Sequence, residues 1–84
     1  MVKPYVETLI DELKQKYPDA KLIKTFEEVM HRIVYGELKP GKYIIQYANI
    51  HAFAHDSVAF RRNSDYIDIL FENPVFRVVV INIK

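Results

Sequence analysis

The sequence contains no cysteine, no tryptophan and only two glycines in 84 residues. Without cysteine there is no disulfide framework and no thiolate metal site. With Gly36 and Gly41 alone there is no glycine-rich phosphate loop. No run approaches the roughly 18 apolar residues of a membrane span, and no signal-peptide apolar region opens the chain. An intracellular, cytoplasmic protein without membrane contact is therefore expected. An excess of charge is missing too. Twelve basic and eleven acidic residues leave a net charge of +1, which argues against strong non-specific attraction to nucleic acid or anionic lipid.

What is present points to a folded domain. Half of the residues are hydrophobic, which excludes a disordered chain. Residues 1–84 are expected to form a single domain. Such a chain buries only roughly 60–65% of its unfolded surface, so further support from packing, a non-thiol ligand or a partner chain is expected. The composition fits a thermophilic source and equally an AT-rich genome.

The most telling stretch is the last, Val75-Phe76-Arg77-Val78-Val79-Val80-Ile81-Asn82-Ile83. It predicts a strand after the turn pair Asn73-Pro74, apolar on both sides and hence covered on both. Val75, Val79, Ile81 and Ile83 face one way, and Phe76, Val78 and Val80 the other.

Earlier in the chain, Val6, Leu9, Ile10, Leu13 and Tyr17 share a helical face behind Pro4, predicting a helix over 4–17 that Pro18 ends. Lys21–Lys24 predicts a short strand. Thr25 with Glu28 forms a capping-box pattern, and Phe26, Val29, Met30, Ile33 and Val34 share a face behind it. A second helix over 26–36 follows, with Gly36 as its stop. Lys39-Pro40-Gly41-Lys42 has the composition of a type II turn, leading into a strand over Tyr43–Tyr47. Ile50–His55 fits a strand by alternation and a helix capped by Asn49. Its strand neighbours favour the strand. Val58–Arg62 and Tyr66–Phe71, separated by Asn63-Ser64-Asp65, predict a hairpin, with Ile67, Ile69 and Phe71 toward the core. The expected fold is α+β, with two N-terminal helices packed on one face of a mostly antiparallel sheet, a β-meander of about four strands.

That arrangement leaves the second sheet face open. A homodimer is the expected partner arrangement, with Val75, Val79, Ile81 and Tyr47 as interface residues. The six tyrosines suit such a half-wet surface. The expected function is a small non-enzymatic interaction module. Nucleic acid is the alternative partner, with Arg61, Arg62, Lys39 and Lys42 as cations and Tyr43 and Tyr66 as stacking surfaces. The blander role for the arginine pair is charge that protects a hairpin edge. Arg77, in an apolar strand, calls for an acidic partner such as Asp68 or Glu72.

Metal-dependent or acid–base chemistry rests on His51, His55 and Asp56. The two histidines fall on one side in either conformation. On a strand they stand roughly 13 Å apart, too far for one ion. On a strand His55 and Asp56 point apart, which leaves them no joint acid–base role. Ser57 and Ser64 sit in turn or cap contexts without a nucleophile elbow. No catalytic residue and no cofactor are expected.

Overall fold

The structure is a computed structural model that describes residues 5–25 and 39–84. The helix expected over 26–36, with His31 in it, lies outside the described residues.

Helix α1 (Tyr5–Lys16) forms where the apolar spacing places it, with Ile10 and Leu13 buried. Glu7 in its first turn and Lys14 and Lys16 in its last complement the helix dipole. The short connection over 17–20 feeds strand β1 (Lys21–Thr25). Strand β2 (Gly41–Tyr47) starts two residues before the expected bound. Gly41 takes a positive φ of 143° as the first residue of that strand. This is far from the roughly 80° of a type II turn.

The next element corrects the sequence reading. Residues expected as a strand and the first arm of a hairpin are one helix, α2 (Ile50–Arg62). Asn49 caps it, its side-chain oxygen accepting from the His51 N–H at 2.7 Å. Phe53, Asp56, Ser57 and Phe60, at helical spacing, form its buried stripe. Asn63 closes the last turn through Ala59 and Phe60. Strand β3 (Ile67–Asn73) follows, and then β4 (Val78–Ile83). The terminal strand starts three residues later than expected. The Asn73 side chain accepts from the Phe76 N–H at 3.1 Å and extends the turn to Arg77. Arg77 itself has a left-handed φ of 55°. Two bonds to Tyr47 hold it there: the Tyr47 N–H donates to its carbonyl at 2.8 Å, and its Nε donates to the Tyr47 carbonyl at 3.3 Å.

Among the described residues the four strands form one sheet in the order β1-β2-β4-β3. β1 and β2 are parallel, and the other pairs are antiparallel. The sheet is therefore mixed and not a meander, because α2 separates β2 from β3. Alternation along the central strands feeds two cores. Tyr43, Ile45, Tyr47, Val79, Ile81 and Ile83 pack with Phe53 and Phe60 of α2. Ile44, Val78 and Val80 pack with Ile10 and Leu13 of α1. The two described helices thus cover opposite faces of the sheet, α1 one and α2 the other. β3 changes sides midway. Ile69 pairs with Ile81 and Phe71 with Val80, so Leu70 is an extra, bulged residue. Ile67 and Ile69 consequently belong to the α2 side, and Phe71 joins the α1 side.

Candidate functional site

A fully buried carboxylate lies where α2 crosses β2. Asp56 follows Phe53 by three residues, which puts it on the buried stripe of the helix, fully sealed from water. A buried carboxylate needs compensation. Tyr47, at the end of β2 and 2% exposed, donates its hydroxyl to Asp56 Oδ2 at 2.9 Å. The Tyr47 ring meets Phe53 edge-on, with centroids 5.6 Å apart. On its other oxygen Asp56 meets His55 Nδ1 at 3.3 Å, with His55 itself largely exposed. Burial raises the phenol pKa of Tyr47 far above its usual value, and the neighbouring carboxylate and their hydrogen bond raise it further. The phenol therefore stays a proton donor. This group clamps the helix to the sheet. No substrate reaches a carboxylate sealed in this way.

The helix also changes the histidines. His51 and His55 are both exposed on α2, one turn apart. Asp56 is buried, with one oxygen on Tyr47 and the other beside His55. Among the described residues no group of three or more His, Asp or Glu is placed to hold a metal ion. The His55–Asp56 contact exists because the segment is helical. Nothing in the sequence signalled the Tyr47–Asp56 bond, which spans nine residues and depends on the helix.

The residues expected to meet a second copy are placed differently. Tyr47, Val79 and Ile81 are buried in the chain's own core beneath α2. They are corrected from interface to core, because α2 covers the face that two N-terminal helices would have left open. Val75 alone of that set is exposed, at 78%. It lies beside Phe76, which stacks on Tyr5 with centroids 6.2 Å apart. Tyr5 is itself 79% exposed. α1 begins at this end of the sheet, and α2 begins there too, with half-exposed Ile50.

The nucleic-acid candidates divide as well. Tyr43 is buried and its hydroxyl donates to the Lys39 carbonyl at 2.7 Å, so its ring is no stacking surface. Tyr66 packs against the α2 core. Arg61 pairs with Glu72, and Lys42 meets Asp19 at 3.5 Å. Arg62 and Lys39 are exposed. Arg77 binds the Tyr47 carbonyl where an acidic partner was expected, and Asp68 instead meets Lys84 at 3.4 Å.

Among the described residues no helix is long and apolar enough to cross a membrane. No protein-family model matches the chain, and no curated protein or solved structure matches it either.

Proposed function

We propose that the chain is a small non-enzymatic interaction module that works as a homodimer in the cytoplasm, with the apolar end around Tyr5, Val75 and Phe76 as its contact surface. The observation that carries this reading is the exposure of Val75 and Tyr5, at 78% and 79%, while the apolar sheet faces beside them are sealed. A turn needs no valine at its tip, and Tyr5, stacked on the part-buried Phe76, gains little from its area while it stays in water. A symmetric contact between two such ends removes both from solvent. It also supplies the added support that a domain of this size calls for.

Solution mass tests the reading. The wild-type chain is expected to run as a dimer in light scattering at high micromolar concentration. Val75→Asp, at an exposed turn position, is expected to keep its circular dichroism spectrum and run as a monomer. A monomeric wild type, or a variant that still dimerises, removes the proposal.

A further inference from the structure

We propose that the opposite end of the molecule binds the phosphate backbone of duplex nucleic acid through a cluster of basic side chains. The strand register gathers them. β1 and β2 are parallel, with Lys21 level with Tyr43, so both strands begin at this end. β4 runs against β2, with Ile83 level with Gly41, which brings Lys84 there. Lys84 is also tied by its N–H to the Tyr66 carbonyl at 2.8 Å. β3 begins opposite Ile83. The short connections over 17–20 and 63–66 then place the C-terminal ends of both α1 and α2 at the same end.

The basic residues follow that geometry. Apart from Arg61, which is held by Glu72, the helix ends contribute Lys14, Lys16 and Arg62. The strand ends and the approach to β2 contribute Lys21, Lys39, Lys42 and Lys84. Seven basic side chains are thus set against Asp19, Asp65 and Asp68 among the described residues at this end. A net charge of +1 for the whole chain conceals this asymmetry. Lys42 and Lys84 each meet one of those acids, and Lys16 lies over the Tyr17 ring at 5.6 Å. Among the described residues Lys14, Lys21, Lys39 and Arg62 make no ion pair, and all four are exposed. Complementing helix dipoles accounts for Lys14, Lys16 and Arg62. It does not account for the four lysines at the strand ends.

Among the described residues at this end, Tyr17, Tyr43 and Tyr66 pack against the two cores, and charge without a free stacking ring suits a phosphate backbone better than single-strand bases. Among the described residues no large exposed apolar side chain lies at the strand ends or in the loops there, which disfavours insertion into a lipid surface.

Fluorescence anisotropy of the full chain with a labelled 20-base-pair duplex of mixed sequence tests this. Binding is expected at 50 mM salt and should weaken about a hundredfold at 200 mM, as release of counterions by four cations requires. Lys21→Glu and Lys39→Glu should each weaken binding and reduce the log–log salt slope by about one, with unchanged circular dichroism. Lys24→Glu is the control. Lys24 is exposed and pairs in register with Gln46, toward the other end. It should leave the affinity within about twofold, since it neutralises no phosphate. Three results overturn the proposal: no anisotropy change at 50 mM salt, an equal loss in Lys24→Glu, or sedimentation with phosphatidylserine vesicles in place of duplex binding.

Discussion

Tyr47 joins three parts of this structure. Its backbone holds the left-handed Arg77, its ring meets Phe53, and its hydroxyl satisfies the sealed carboxylate of Asp56. Tyr47→Phe keeps the ring and removes only the donor. The expected cost is about 1–3 kcal/mol, the range for leaving a buried acceptor short of a partner. Urea denaturation at neutral pH measures it. The raised phenol pKa adds a signature at alkaline pH. Unfolded Tyr47 ionises near its usual value of 10.0, while folded Tyr47 keeps its proton well above that. Above that value the unfolded chain binds fewer protons than the folded one, so stability falls as pH rises. The contribution is intact below about pH 10 and declines by up to about 1.4 kcal/mol per pH unit above it. The wild type is therefore expected to lose stability more steeply than Tyr47→Phe between about pH 10 and 11.5. Parallel slopes in the two proteins would place the Tyr47 hydroxyl in water.

Helix α2 is the element that reorganises everything else. Its first six residues alternate as well as they wind, and that ambiguity is physical. Ile50, Ala52 and Ala54 oppose His51, Phe53 and His55 at period two, whereas Phe53, Asp56, Ser57 and Phe60 align only over two turns. The longer window separates the two periods. Composition does so as well, because the segment is rich in alanine and has only Ile50 and Val58 as β-branched residues. The cap was visible in Asn49, but a capped helix gains weight only when its stripe is followed to Phe60. Helix α1 needed no such arbitration, since Pro18 and a charged outer face left one period standing. Asn49→Ala should cost about 1 kcal/mol, while Asn49→Ser, which keeps an accepting side-chain oxygen, should stay within a few tenths. Thermal unfolding of the two variants side by side checks this. Equal melting temperatures for Asn49→Ala and the wild type would mean that the capping bond contributes nothing.

At the scale of the whole molecule, the terminal strand was legible as a strand that needs cover on both sides. What covers it was not. Helices expected over 4–17 and 26–36 would share one face, which left the other for a second chain. With α2 inserted between β2 and β3, the described residues supply both covers. Val78 faces the side of Ile10 and Leu13, and Val79 faces Phe53 and Phe60. Both valines are 0% exposed. The Tyr47–Asp56 bond follows from the same arrangement and the change of side at Phe71 from the bulge at Leu70, and neither has a local sequence pattern. This geometry makes a strong demand on paired variants. Val78→Asp and Val79→Asp each place a carboxylate in an apolar core with no donor provided for it. Each also removes a side chain whose burial contributes roughly 1.5–2 kcal/mol. A domain of this size has roughly 5–10 kcal/mol of stability in total, so either change should abolish cooperative unfolding. Val75→Asp, three residues before Val78 and on the exposed turn, should unfold as cooperatively as the wild type. Circular dichroism during a thermal scan of the three variants reads the contrast. If Val79→Asp stays folded and only changes the mass in solution, α2 does not cover this strand and a second chain does. If both core variants unfold and Val75→Asp alone changes the mass, the contact between copies lies at the end of the sheet and not on its face.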